Sequence, residues 1–197
     1  MKNKRQYRNR FRAAGFTLLE TMITVAVVGI ISSVAAPSLG DFLKNSALRG
    51  QAHDLMSSIT MARSEAGKRG SRVILCRSAD PDATTPTCGG TDKDWSTGWL
   101  LFVAEDTDND FDLGTDILIG KGEPSATQTG IKSNGTGNNY LVFGPDGTLQ
   151  ETGAAQYAVC DDRGEAYGRQ INVTLVGRAN LVTGYPTSPI ATCAPTG

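Results

Sequence analysis

The chain has 197 residues, of which 39% are hydrophobic and 20% are charged, and this balance excludes an intrinsically disordered protein. The net charge of −1 hides an asymmetry, because residues 1–15 carry six basic side chains and no acidic one, whereas the remainder has 13 basic against 20 acidic residues. The acidic remainder gives no general support for nucleic-acid binding, which would need a local basic patch.

The first predicted element is an apolar helix. From Phe16 to Leu39 there are 24 residues, and Glu20 is the only charged one; a helix needs roughly 20 apolar residues to cross a bilayer. A secretory signal peptide with SSVAAP (32–37) as its cleavage site and a plain membrane anchor with a basic cytoplasmic flank are two alternatives. Neither explains Glu20, because a carboxylate in the apolar phase costs about 2.5–3.5 kcal/mol on insertion scales.

The helix is predicted to continue as an amphipathic segment over residues 40–70. Lys68 and Arg69 provide positive charge in its last turn, and Gly70 is a suitable end. The part at 16–39 would lie in a membrane or filament core, and the second part would pack on a sheet. The spacing of 3 or 4 residues that predicts a buried face is set by Leu48, Ala52, Leu55, Ile59, Ala62 and Ala66.

The region 71–197 is predicted to be a β-rich globular domain. Short runs rich in β-branched and aromatic residues are separated by Gly, Asn and Pro-Asp-Gly turns. A helix followed by such strands indicates an α+β fold, with the helix on one face of a mainly antiparallel sheet. The predicted strands lie at 72–76, 98–104, 116–120, 139–144, 156–160 and 169–177.

The motif GFTLLE (15–20), preceded by the basic leader, resembles the class III signal of type IV pilins and type II secretion pseudopilins. The resemblance implies that a prepilin peptidase removes residues 1–15 by cleaving after Gly15 and then methylates the amine of Phe16. It also implies that the apolar helix is retained after processing.

The same resemblance assigns roles within the helix. Gly29 and Pro37 lie where these helices carry a glycine and a proline that let the helix loosen on assembly. Glu20 would pair with the N-terminal amine of Phe16 in a neighbouring subunit, and such a buried pair is better suited to fixing register than to adding stability.

Four further segments resemble the GspH/FimT group of this family. The resemblance implies the type IV pilin fold and a minor pilin or pseudopilin, not an enzyme, that joins or primes the tip of a type IV pilus or a type II secretion pseudopilus. It implies a single-pass bacterial inner-membrane protein with a periplasmic C-terminal domain, whose partners are the prepilin peptidase, other pilins and membrane lipid. The segments are RSEAGKRGSRVILC (63–76), DWSTGWLLF (94–102), YLVFGPDGTL (140–149) and RQINVTLVGRANL (169–181).

The four cysteines are expected to form disulfides in an oxidising compartment. Cys76 with Cys88 would close a short polar loop, and Cys160 with Cys193 would tie the C-terminal tail to a strand, although the other two connectivities remain open. Zinc is disfavoured because the chain has no CxxC pair and a single histidine, His53.

The acidic loop EDTDNDFDLGTD (105–116) offers carboxylates at alternate positions, which is the ligand type that calcium prefers. Candidate calcium ligands are Asp106, Asp108 and Asp110. Phe111 stands where an EF-hand would carry glycine, so the favoured interpretation is a solvated hairpin loop, with no cofactor assigned.

DNA binding in natural transformation is the alternative function. GRAN (177–180) resembles the place where some FimT proteins carry a Gly-Arg-x-Arg motif that binds DNA, but Asn180 replaces the second arginine. Candidate phosphate contacts are Arg178, Arg169 and Arg163.

Overall fold

The computed structural model describes residues 15–90, 93–123, 125, 129–135, 139–150 and 153–183, with only the backbone described at 34–37, 135 and 165. The chain divides into two compact units between Phe42 and Leu43. The helix α1 (Leu18–Arg69) runs across this boundary. Within the described residues, it is the regular structure of the first unit and the first element of the second.

The ends of α1 follow from local chemistry. Thr17 caps the start, because its Oγ1 accepts the Glu20 backbone N–H at 3.2 Å and its carbonyl accepts the Thr21 N–H at 3.1 Å. At the other end Gly70 takes a left-handed φ of 62°, which stops the helix where the sequence predicts. Arg69 lies in the last turn and donates to Glu65 at 2.8 Å.

The predicted apolar face of the second half of α1 is confirmed. All six residues of the face are completely buried, whereas His53 lies exposed on the opposite side. The buried set is Leu48, Ala52, Leu55, Ile59, Ala62 and Ala66.

Across the residues that the structure describes, eight strands form two antiparallel sheets, which confirms the α+β class and the antiparallel pairing. The first sheet has the order β3-β2-β1-β5 and the second has the order β4-β6-β7-β8. The strands are β1 (Val73–Arg77), β2 (Trp99–Val103), β3 (Ile117–Gly122), β4 (Thr129–Gly135), β5 (Tyr140–Phe143), β6 (Ala155–Asp161), β7 (Arg169–Val173) and β8 (Ala179–Thr183); a 3₁₀ turn lies at Glu165–Tyr167.

Both sheets contribute to one core around the helix. Leu75 and Leu101 from the first sheet and Tyr157 and Ile171 from the second belong to the same buried cluster as the helix face. Trp95, just before β2, packs edge-on against Tyr157 with ring centroids 5.1 Å apart, so the aromatic pair links the segment between β1 and β2 to the second sheet.

Three strands depart from the sequence prediction. The predicted strand 169–177 ends at Val173, because residues 174–178 form a turn that closes with the Gly177 N–H donating to the Thr174 carbonyl at 2.8 Å. The strand β8, which follows this turn, was not predicted. Gly177 has a φ of 73°, which a β-branched residue would not tolerate. The strand β4 was missed because its sequence, TGIKSNG, has the polar and glycine-rich composition of a turn.

Candidate assembly site

The first unit exposes an almost continuous set of large apolar side chains along α1. No single helix in the described part of the chain passes as a membrane span by length and composition, but Leu18–Ser33 and Ser38–Arg69 pass together as a broken pair. The exposed set from residue 16 to residue 31 is Phe16, Leu18, Leu19, Met22, Ile23, Val25, Val27, Val28, Ile30 and Ile31.

Glu20 is the only acid within this surface. It occupies the third position of the helix, where the N-terminal dipole favours negative charge. Its side chain is exposed, and among the described residues it has no ion-pair partner. Thr17, which the sequence prediction did not single out, fixes this turn by accepting the Glu20 backbone N–H. The Thr-x-x-Glu spacing of a capping box was the available signal.

The remaining predicted processing and assembly residues lie along the same segment. Gly15 and Phe16 are exposed ahead of the helix, and Gly29 lies within it with no atom within 4 Å of the position a Cβ would take. Pro37 is within the helical backbone. The proposed roles of these residues remain predictions.

The acidic loop is held by an arginine side chain that the sequence did not indicate. Arg72, immediately before β1, donates to the Asp106 carbonyl at 3.0 Å and to Asn109 Oδ1 at 2.7 Å. Asp116 is buried and accepts the backbone N–H groups of Glu105 and Asp112, so it closes the base of the loop.

The carboxylates that the structure brings together differ from the predicted set. Asp106, Asp108 and Asp112 each place a carboxylate oxygen within 4.8 Å of the others, whereas Asp110 lies outside this group. Within the loop, the Asp110 backbone N–H donates to Asp108 Oδ1 at 3.0 Å. Partial desolvation, followed by the neighbouring charge of Asp108, raises the pKa of Asp106 above its ordinary value. These three oxygens are the ones that could hold a cation.

The predicted DNA contacts do not form a patch of free side chains. Arg163 pairs with the buried carboxylate of Asp161 at 2.7 Å, donates to Asn45 on α1 at 3.0 Å and stacks over the ring of Tyr167. Its guanidinium therefore fastens the end of β6 to the helix. The adjacent carboxylate of Asp162 accepts a hydrogen bond from the Lys44 ammonium, and this hydrogen bond lowers the pKa of Asp162.

The other two arginines differ from each other. Arg169 donates to the backbone carbonyls of Tyr167 and Gly168 at 2.8 and 3.0 Å. Arg178 is exposed, and its guanidinium makes no hydrogen bond among the described residues. Of the three predicted arginines, Arg178 alone has a free guanidinium among the described residues, which leaves little of the phosphate-binding surface that the sequence suggested.

One disulfide lies wholly within the described residues. Cys76 on β1 and Cys88 are bonded, with their Cα atoms 5.6 Å apart. Cys160 on β6 is also disulfide-bonded. Cys193 lies outside the described residues, so its pairing with Cys160 remains a proposal.

Comparison with known proteins identifies the family. The family model described as type II transport protein GspH matches residues 51–177, which include most of the second unit. The chain belongs to the GspH family. A second model, the prokaryotic N-terminal methylation motif, matches residues 10–36 of this GspH-family chain, which is the segment that contains Glu20.

Relatives agree with this assignment. The GspH-family chain is 27% identical over 165 residues to the pilin-like protein PilA1 of Thermus thermophilus, covering 77% of this chain and 96% of that protein. It matches the crystal structure of the type IV minor pilin FimU of Pseudomonas aeruginosa with a TM-score of 0.55 at 22% identity, covering 75% of this chain and 98% of FimU. A second crystal form of FimU gives a TM-score of 0.52 at 21% identity, covering 72% of this chain and 98% of that chain.

The similarity to FimU shows that the fold is that of a pilin, and the family assignment gives the class of function. The GspH-family chain is a minor pilin or pseudopilin of the GspH/FimT type, a structural subunit that assembles with other pilins.

Proposed function

We propose that this chain is held in the bacterial inner membrane by residues 16–39 and then transferred into a type IV pilus or a type II secretion pseudopilus. Residues 1–15 would be removed by the prepilin peptidase, leaving Phe16 as a methylated N-terminus. The second unit would lie in the periplasm before assembly.

The observation that carries this proposal is the exposed apolar surface of α1 with Glu20 as its one charge. Such a surface is not stable in water, and a helix satisfies all its internal backbone hydrogen bonds in lipid or between other helices. The helix therefore suits two apolar environments in succession, first the bilayer and then a bundle of pilin helices.

The cost of burying the Glu20 carboxylate differs between the bilayer and the bundle of pilin helices. In lipid an isolated carboxylate is unfavourable by about 2.5–3.5 kcal/mol at mid-membrane on insertion scales, and a cationic partner relieves that cost. Cleavage after Gly15 would create a positive amine at Phe16, four residues before Glu20. Pairing between the amine of one subunit and Glu20 of the next would favour assembly over the lipid-held state and fix the axial register of the helices.

The test is Glu20→Ala in the full chain, with Ser33→Ala as the matched control. Ser33 lies in the same exposed stretch, but its hydroxyl donates to the Ile30 carbonyl within the helix. We expect Glu20→Ala to remain in the membrane and to be depleted from sheared filaments, whereas Ser33→Ala is incorporated normally. Protease resistance of the second unit should be unchanged in both variants.

Normal incorporation of Glu20→Ala into filaments would contradict the role of Glu20. Which filament the chain serves is a separate question that a deletion answers. Loss of twitching motility would indicate a type IV pilus, and loss of exoprotein secretion would indicate the type II pseudopilus.

A further inference from the structure

A cleft of about 390 Å³ opens within the second unit, between the second half of α1 and the end of β3. This volume lies at the lower end of the range for protein binding sites. We call it the α1–β3 cleft. The lining residues with polar side chains are Gln51, Asp54, Ser57 and Ser58 on α1, Trp99 on β2, Lys121 on β3 and Glu123 just after β3.

Several hydrogen-bond donors of the cleft are already engaged within the protein. The Trp99 Nε1–H donates to Ser58 Oγ at 2.9 Å, and the Ser58 hydroxyl donates to the Asp54 carbonyl at 3.0 Å. The Lys121 ammonium donates to the carboxylate of Asp82. These contacts hold the indole, the hydroxyl and the ammonium in place and direct them away from a guest.

Acceptors of the cleft, in contrast, lack partners. Gln51 Oε1 is shielded from solvent, and no donor in the protein reaches it. A buried acceptor without a partner is unfavourable, so a donor that enters the cleft and reaches it recovers free energy. The carboxylates of Asp54 and Glu123 are exposed and form no ion pair with any residue that the structure describes. The cleft therefore offers more acceptors than donors.

The charge around the cleft is negative as well. The hydrogen bond to Asp82 is the main cause that raises the pKa of Lys121, and the nearby charges of Glu123 and Asp80 add to it. With Asp54 on the helix side, four carboxylates lie at or near the cleft against one ammonium. Such a concave, negative surface attracts a cationic group.

We propose that the α1–β3 cleft binds the guanidinium group of an arginine side chain that belongs to a different pilin subunit. A guanidinium is planar, stays charged and carries five N–H donors, which suits a negative cleft with an excess of acceptors. Asp54 from α1 and Glu123 from the end of β3 offer it carboxylates from two walls. The inference rests on the proposed function, because it specifies a contact with a neighbour in the filament.

The test is photocross-linking of the full-length chain in cells that assemble filaments. Position 57 is replaced with p-benzoylphenylalanine, because Ser57 lines the cleft and is exposed, so the substitution should be tolerated. Cross-linked products are recovered from sheared filaments after irradiation and identified by mass spectrometry. We expect a product with a different pilin-like subunit, attached to a segment of that subunit that contains arginine.

Neutral variants test the charge of the cleft. Asp54→Asn combined with Glu123→Gln should lower the yield of this product by roughly tenfold, because the guanidinium then loses both carboxylates. The matched control is Glu105→Gln combined with Asp110→Asn, which removes two exposed carboxylates of the acidic loop and should leave the yield unchanged. Protease resistance of the second unit should be the same in both double variants.

A charge exchange then tests the pairing itself. Replacing the arginine in the cross-linked segment of the partner by glutamate should lower the yield to the same extent. Asp54→Arg in this chain should restore a large part of it, because opposite charges then face each other again.

Three outcomes would overturn the guanidinium site. They are a product with a second copy of this chain, a yield that survives neutralisation of Asp54 and Glu123, and no protein product although the chain is present in sheared filaments. The last result would assign the cleft to solvent or to a small free cation. Absence of the unsubstituted chain from filaments would instead contradict the proposed function.

Discussion

The ring of Trp99 on β2 restricts position 122 on β3 to glycine. The indole of Trp99 on β2 is buried and lies across Gly122 on β3, and its Nε1–H donates to Ser58 on α1 at 2.9 Å. A Cβ on Gly122 would lie 1.9 Å from Trp99 Cε2, well inside the closest allowed approach. Glycine is therefore required at 122 for close approach of the ring.

We expect Gly122→Ala to lower the free energy of unfolding by about 1–3 kcal/mol, the usual cost of overpacking a filled site. Gly120→Ala on the same strand is the control, since nothing lies within 4 Å of its Cβ position. Urea unfolding of the detergent-solubilised chain, followed by tryptophan fluorescence, measures both variants. Equal midpoints for the two would contradict the steric argument.

At the scale of elements, the acidic loop serves as a cover for the first sheet. Phe111 is buried and packs edge-on against Phe102 with ring centroids 5.3 Å apart. It joins a cluster with Ile74, Leu100 and Val142 on the sheet face opposite the helix. The residue that breaks the EF-hand pattern is thus the one that seals this face.

Phe111→Ala should lower the free energy of unfolding by about 3–5 kcal/mol, because it removes a buried aromatic side chain from a filled cluster. The control Leu113→Ala, in the same loop but exposed, should change stability little. Thermal unfolding monitored by circular dichroism compares them. If Leu113→Ala lost as much stability as Phe111→Ala, the stabilising effect of the loop would come from its backbone and not from the Phe111 ring.

At the scale of the whole molecule, a short segment before β2 fastens the first sheet to the second. The Trp95 N–H donates to the Ile131 carbonyl on β4 at 2.9 Å, and buried Asp94 pairs with Lys132 at 2.6 Å. Burial by itself would raise the pKa of Asp94, but hydrogen bonds from Lys132 and Ser96 outweigh it and hold the pKa below its ordinary value.

The Asp94–Lys132 ion pair should make the free energy of unfolding depend on pH in the acid range. A carboxylate with a depressed folded-state pKa contributes stability that is complete above its unfolded pKa of about 3.9 and is lost as pH falls through the folded pKa. We expect Asp94→Asn to be less stable than the native chain at pH 7, with the difference shrinking below about pH 4. Urea midpoints across this pH range measure it, with exposed Asp54→Asn as control. A pH-independent difference would contradict the ion-pair account.

The sequence by itself determined the elements that depend on local pattern. The six-residue apolar face of α1 follows from its spacing of 3 or 4 residues, because helical periodicity reflects which face is buried. The end of α1 at Gly70 follows from the glycine, and the strands around Leu75, Leu101 and Val142 follow from short continuous runs of β-branched and apolar residues. The GFTLLE motif likewise sufficed to identify the class of protein, since its signal lies in consecutive residues.

Only the tertiary structure decided features that depend on residues distant in the chain. The strand β4 forms despite its turn-like composition because β6 pairs along its whole length. Arg72 reaches the acidic loop 34 residues away, and Arg163 donates to Asn45, 118 residues away, instead of remaining free for phosphate. Long-range pairing outweighs local propensity at these sites, and no pattern of neighbouring residues records it.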